Sequence, residues 1–165
     1  MKYYIFTIII LLLFGCKGNN PTAIREGNHV ELEYIHNYNS LYWMNTFSYV
    51  GKEVTITEND TSKIYKLYSN GKEEKEELVQ STRLMPQKID TILALLNQYE
   101  FYNYPPNIAQ KDSGSINAGS VIIKIKREGD IEFKTVNATI YTNPNYNQSI
   151  FQEFIKKLEI ILNIE

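Results

Sequence analysis

Apolar and polar residues alternate through the first half of the chain. The pattern is clearest at Val30, Leu32 and Tyr34. It returns over Glu53–Thr57 and Lys63–Tyr68. A period of two predicts β-strands with one buried face and one wet face. We therefore expect a sheet in this half of the chain.

Short polar segments divide these strands. Asn70-Gly71 is the strongest hairpin signal, because both residues tolerate positive φ. Gly51-Lys52 indicates a further turn. The Glu-rich segment Glu73–Glu77 opens the returning strand, and we expect it to be a solvated hairpin end.

Two later segments have the helical period of 3.6 residues. The first begins at Pro86, where a missing N–H costs nothing, and stops at Tyr104–Pro106. Its apolar stripe consists of Ile89, Ile92, Leu93 and Leu96. The second begins at a predicted capping box, Ser149 with Gln152. Its stripe consists of Phe151, Phe154, Ile155, Leu158, Ile161 and Leu162.

A second hairpin separates the two helices. Val121–Arg127 alternates cleanly, Glu128–Asp130 turns, and Ile131–Val136 returns. The order strands, helix, hairpin, helix predicts an α+β fold. We expect an antiparallel sheet of about five to seven strands, with both amphipathic helices packed on one face.

The N-terminus has the pattern of an export signal. Lys2 precedes an apolar run, Ile5–Phe14, which is too short to span a membrane as a permanent helix. Leu13-Phe14-Gly15-Cys16 resembles the bacterial lipobox, although Phe14 departs from the usual small residue. By that resemblance, Cys16 becomes the lipidated first residue of the mature chain, and the acyl chains anchor it to a membrane.

This interpretation divides the chain into three parts. Residues 1–15 are the signal peptide, residues 16–27 are the lipidated cysteine with a polar tether, and residues 28–165 form one globular domain. No acidic residue precedes Glu26, and this favours a cell-envelope protein anchored in the outer membrane and facing the periplasm.

Composition narrows the classes of function. Seventeen basic and 19 acidic residues give a net charge of −2, which argues against nucleic-acid binding through a basic face. A single Cys cannot form a disulfide framework or a thiolate metal site. We expect no cofactor and no metal.

The chain lacks a recognisable catalytic motif. His29 and His36 are seven residues apart, which places them on opposite faces of a strand, as surface or strand-edge histidines. The segment from Gly114 to Ser120 has P-loop glycine spacing but lacks the lysine, and a strand follows it. We therefore expect a protein that is not an enzyme.

Aromatic residues carry most of the functional signal. The chain has 13 Tyr, 7 Phe and one Trp, and exposed aromatics are typical of binding surfaces. They crowd two places, one around Tyr42 and Trp43, the other at the end of the first helix. The candidate binding residues are Tyr42, Trp43, Tyr99, Tyr102 and Tyr104.

The first helix and its exit also carry a resemblance. The segment from Met85-Pro86 through Phe101-Tyr102-Asn103-Tyr104-Pro105 is similar to small lipoproteins of Bacteroidota-type bacteria, which share this order of elements. The resemblance implies no catalytic residues. Some small envelope lipoproteins are immunity partners of toxins, or inhibitors. The expected function is binding of a protein partner or an envelope component by a membrane-anchored protein, and the alternative is glycan binding through exposed aromatics.

Overall fold

The computed structural model describes residues 28–38, 47–108, 117–141 and 146–164. The strands are β1 (Val30–Tyr38), β2 (Ser48–Ile56), β3 (Thr61–Ser69), β4 (Glu74–Arg83), β5 (Asn107–Ile108), β6 (Asn117–Arg127) and β7 (Lys134–Tyr141). The helices are α1 (Pro86–Gln98) and α2 (Tyr146–Leu162), and a 3₁₀ turn covers Phe101–Asn103. The α+β class is confirmed.

The seven described strands form one sheet in the order β4-β3-β2-β1-β6-β7-β5. All neighbours are antiparallel except β5, which pairs in parallel with β7 through Asn107 and Asn137. The sheet is therefore mixed, and its one parallel pair in the described residues involves the two-residue edge strand β5. This strand was not predicted, since two residues are too few to show a period.

One face of the sheet carries the hydrophobic core. Val30, Leu32 and Tyr34 of β1 are almost fully buried, as the alternation predicts. Both helical stripes close over this face, and residues such as Ile92 and Phe154 are fully buried. The opposite face of β1 carries Glu31 and Glu33, which form ion pairs with lysines of β6.

Helix α1 crosses the sheet at the end where β1 begins. Asp90 in α1 accepts a hydrogen bond from Asn28, just before β1, at 3.2 Å. Past the end of the helix, the Tyr102 hydroxyl reaches Asp130, between β6 and β7, at 3.1 Å. Helix α1 therefore runs from the β4 edge towards the β7 edge, and the segment after it reaches the outer strands.

Three local predictions were wrong. Gly51 and Lys52 lie inside β2, not in a turn. A Cβ at Gly51 would collide with the carbonyl oxygen of His36, so the glycine allows close approach of two strands. Strand β7 begins at Lys134, later than Ile131, and α2 begins at Tyr146, before the predicted cap at Ser149.

Candidate functional site

The structure separates the predicted binding residues. Tyr42 and Trp43, like the lipidation candidate Cys16, lie outside the described residues. Tyr99 and Tyr104 line one groove at the end of α1. Tyr102 is not among its lining residues, although it lies between them in sequence.

A change of backbone direction produces this separation. Tyr99 is the C-cap residue of α1, and Glu100 then adopts the left-handed conformation with φ 48°. The 3₁₀ turn follows, and Tyr104 leaves it in an extended conformation. Because the helical path is broken at Glu100, Tyr99 and Tyr104 line the groove whereas Tyr102 faces the turn between β6 and β7.

Buried aromatic rings form the base of this segment. Phe101 is fully buried, with its ring centroid 5.6 Å from that of Phe154 in α2. The Tyr104 ring meets Phe151 edge-on at 5.1 Å. Tyr99 lies 5.6 Å from Phe154. Edge and tilted contacts at these distances are favourable between aromatic rings, so α2 holds the two tyrosines in place.

The resulting cavity, here called the tyrosine groove, has a volume of about 740 Å³. That volume lies within the range of small-molecule sites. Its lining combines two tyrosines, four amides, two carboxylates and three apolar side chains: Gln98, Tyr99, Glu100, Asn103, Tyr104, Pro105, Asn107, Ile108, Gln148, Ile150 and Glu153. The described lining includes no lysine, arginine or histidine.

Glu153 is the most strongly held acid of the groove. Its Oε1 accepts a hydrogen bond from the Tyr99 hydroxyl at 2.8 Å and lies 2.9 Å from Lys157 Nζ. The hydrogen bonds from Lys157 and Tyr99 lower the pKa of Glu153. Glu153 is therefore an anion at neutral pH, and its side chain is 58% exposed.

Tyr104 occupies the other side of the groove. The side chain is half-buried, and burial raises the pKa of its hydroxyl, which stays protonated and able to donate. Lys134 at the start of β7 donates a hydrogen bond to the Tyr104 carbonyl oxygen at 2.7 Å. This bond fixes the backbone of the segment to the sheet.

Tyr102 faces the turn between β6 and β7. Its hydroxyl donates to Asp130 at 3.1 Å, and the Arg127 guanidinium lies over its ring at 3.8 Å from the centroid. Burial and the neighbouring carboxylate of Asp130 raise the pKa of Tyr102 to about 12. The ring and hydroxyl are thus both engaged within the protein, and Tyr102 supports this turn.

A second polar cluster, here called the Glu159 cluster, lies between α2 and the sheet. It consists of Tyr34, His36, Lys52 and Glu159. Glu159 Oε1 accepts from the Tyr34 hydroxyl at 2.6 Å and lies 3.0 Å from both Lys52 Nζ and His36 Nδ1. Because a carboxylate only accepts, the His36 proton lies on Nδ1 in this contact.

The Glu159 cluster is largely buried. The side chains of Lys52, His36 and Glu159 are 11–15% exposed. Burial alone would raise the pKa of Glu159, but hydrogen bonds from His36, Tyr34 and Lys52 outweigh it and lower the pKa to about 2. Lys52 also donates to the carbonyl oxygen of Ile164. The cluster therefore joins the C-terminal helix to the sheet.

Sequence reasoning missed this cluster. His36 was predicted as a surface or strand-edge histidine, but it lies largely buried beside Glu159. The alternation of the strand could have indicated a buried His36, because this residue lies on the same face as Val30, Leu32 and Tyr34. His29, by contrast, precedes β1 and contacts Asp60 at 3.2 Å.

No protein-family model and no curated protein sequence matches this chain. Across the described ranges, His, Cys, Asp and Glu side chains nowhere gather in threes at a spacing that could hold a metal ion. Within the same ranges, the helices lack the length and apolar character needed to cross a membrane.

Proposed function

We propose that this chain is a lipid-anchored, non-enzymatic binding protein of the cell envelope, and that the tyrosine groove holds a glycan. The observation that carries the proposal is the groove's lining. It places two tyrosine rings beside four amides and two carboxylates in one cavity of about 740 Å³. Cys16 is the anchor in this proposal, with the domain facing the periplasm.

The chemistry of the groove favours a neutral, hydroxyl-rich ligand. Aromatic rings pack against the apolar faces of sugars, while amides and carboxylates match hydroxyl groups that both donate and accept. Glu100 and Glu153 disfavour anionic ligands. Lys157 already balances Glu153, which removes much of the attraction for a cation.

The size of the groove favours a glycan over a protein partner. Stable protein interfaces bury about 800 Å² on each side. The groove has instead a volume typical of a small-molecule site. A protein partner was the first expectation from the sequence, and the groove supports the alternative better.

The tyrosine groove also includes a residue in a strained backbone conformation, Glu100. Glu100 is the one non-glycine residue with positive φ in the described chain that is neither Asn nor Asp. A left-handed conformation costs such a residue about 1 kcal/mol. A left-handed residue commonly ends a helix, and here it allows Tyr99 and Tyr104 to line the same groove.

Calorimetric titration tests the proposal. The full chain in detergent is titrated with neutral oligosaccharides built from hexoses and N-acetylhexosamines, and with acidic oligosaccharides of the same length. We expect binding by at least one neutral series and none by the acidic series. Tyr104→Ala should weaken that binding by about tenfold or more, equal to about 1.4 kcal/mol.

A pair of conservative variants supplies the control. Tyr99→Phe removes one hydroxyl from the groove, and Tyr102→Phe removes one hydroxyl outside it. The first should weaken oligosaccharide binding and the second should not. Equal effects of the two variants, or no binding of any neutral oligosaccharide at millimolar concentration, would refute the proposal.

A further inference from the structure

Several described segments meet at the end of the sheet where β1 begins, here called the entry end. His29 Nδ1 lies 3.2 Å from Asp60, in the turn between β2 and β3. The Leu84 amide, after β4, donates to the Asp60 carbonyl at 2.8 Å. The Glu128 amide, after β6, donates to the His29 carbonyl at 3.1 Å. The entry end is also where residues 16–27 lead into the domain.

Three of the seven exposed large hydrophobic side chains in the described residues, including the two most exposed, lie at the entry end. Ile131 and Met85 are 93% and 72% exposed, the highest values among the large hydrophobic residues that the structure describes. Phe133, two residues after Ile131, is 43% exposed. Ile131 and Phe133 lie between β6 and β7, and Met85 lies between β4 and α1. Isolated exposed apolar residues are common, but three at one end of a sheet need an explanation.

The three residues are spread along the entry end. Four to five strand spacings separate β4 from the hairpin of β6 and β7, which corresponds to roughly 20 Å. Ile131 with Phe133 therefore forms one point of contact, and Met85 forms a second. A ligand pocket would bring such residues together, whereas an extended surface needs them apart.

The entry end carries both ion pairs and exposed acids, Glu58, Glu128 and Glu132. Arg127 pairs with Asp130 at 3.4 Å, and Lys126 pairs with Glu31 at 3.1 Å. The exposed acidic segment Glu73–Glu77 lies at the opposite end of the sheet, where β4 begins. Charge therefore does not select one end of the sheet, and contact of the entry end with a membrane rests on its apolar side chains, without dependence on anionic lipid.

We propose that the entry end rests on the bilayer, with Ile131, Phe133 and Met85 reaching the boundary between headgroups and acyl chains. This inference rests on the proposed lipid anchor at Cys16. Twelve residues, 16–27, span at most about 40 Å, so the anchor keeps the domain within reach of the membrane. Apolar contact at this depth adds to the binding supplied by the acyl chains.

Fluorescence quenching tests the orientation. Ile131→Cys and Lys72→Cys place a thiol at the entry end and at the opposite end, respectively, in the full chain. Lipidation blocks the thiol of Cys16, so an environment-sensitive dye labels only the new cysteine. Each labelled protein is reconstituted into phosphatidylcholine vesicles that contain lipids with a nitroxide on the upper acyl chain.

We expect blue-shifted emission and strong quenching for the dye at position 131, and neither for the dye at position 72. Adding Phe133→Asp should reduce the quenching at position 131. Equal quenching at both positions, or none at position 131 on vesicles that carry the protein, would overturn the inference alone. If the wild-type chain did not float with vesicles, or Cys16→Ala floated equally well, the anchor itself would be refuted, and the inference would lose its basis.

Discussion

Helix α2 carries two glutamates in nearly the same set of contacts. Glu153 accepts from the Tyr99 hydroxyl and pairs with Lys157, and Glu159 accepts from the Tyr34 hydroxyl and pairs with Lys52. The side chain of Glu153 is 58% exposed, whereas that of Glu159 is 14% exposed. The same pair of contacts, from a tyrosine hydroxyl and a lysine, is therefore exposed to solvent at Glu153 and buried at Glu159.

Burial decides what each arrangement does. In the Glu159 cluster, each partner depends on the others, because a charge left alone in the interior is costly. In the tyrosine groove, water can replace any partner, so the contacts add little to stability and a ligand can compete for them. The Glu159 cluster thus supports the fold, and the exposed contacts of Glu153 in the tyrosine groove are available for ligand binding.

The largest expected difference between the two regions is in stability. Glu159→Gln leaves the Lys52 charge buried without its counter-ion and should lower the free energy of unfolding by about 3 kcal/mol. Glu153→Gln, at the exposed pair, should leave it nearly unchanged, because solvent screens an exposed ion pair. Urea denaturation of both variants measures this. Equal losses would show that the two glutamates do not differ in role.

Acid should lower the free energy of unfolding through the Glu159 cluster. The folded-state pKa of Glu159 is about 2, below its ordinary 4.5, so its contribution is complete above about pH 4.5 and is lost as the pH falls towards 2. The loss should amount to about 2–3 kcal/mol. Urea denaturation between pH 5 and pH 2 should show this loss in wild type and a shallower dependence in Glu159→Gln. Identical slopes would contradict the assigned role of Glu159.

The two tyrosine hydroxyls offer a finer comparison. Tyr34→Phe removes a buried donor to a charged acceptor, at 2.6 Å, and should cost about 1–2 kcal/mol of unfolding free energy. Tyr99→Phe removes an exposed hydrogen-bond donor, which lies 2.8 Å from its acceptor Glu153, and should cost less than about 0.5 kcal/mol of unfolding free energy. Thermal unfolding followed by circular dichroism compares them. A larger loss in Tyr99→Phe would reverse the comparison.

The smallest expected effect concerns the backbone of the groove. Glycine adopts positive φ readily, so Glu100→Gly should raise the free energy of unfolding by about 0.5–1 kcal/mol. The same change removes one groove carboxylate and should weaken oligosaccharide binding. Gln98→Gly, inside α1, is the control and should be destabilising. A fall in stability for Glu100→Gly would show that its side chain supports the fold.

Local patterns allowed most of the fold to be predicted. The alternation of Val30, Leu32 and Tyr34 gave β1 its buried face, and Pro86 marked the start of α1. The boundaries failed where tertiary contacts decide them. Ile131 reads as part of a strand by composition, yet it lies in the turn before β7 and is almost fully exposed.

The candidate site was predicted only in part. Tyr99 and Tyr104 were chosen from aromatic crowding, but the sequence does not show that Glu100 turns the chain and separates Tyr102 from them. Glu153 lies 54 residues from Tyr99, and Glu159 lies 125 residues from Tyr34. Such pairs are made by helix packing, and no local pattern indicates them.

The central claim is that the tyrosine groove binds a ligand and that the Glu159 cluster supports the fold. It is tested by measuring binding and stability in the same two variants. The probe is the neutral oligosaccharide that binds wild type most tightly. We predict that Glu153→Gln weakens its binding about tenfold with an unchanged melting temperature. Glu159→Gln should lower the melting temperature and leave affinity unchanged. Weaker binding in Glu159→Gln, with wild-type affinity in Glu153→Gln, would contradict the account.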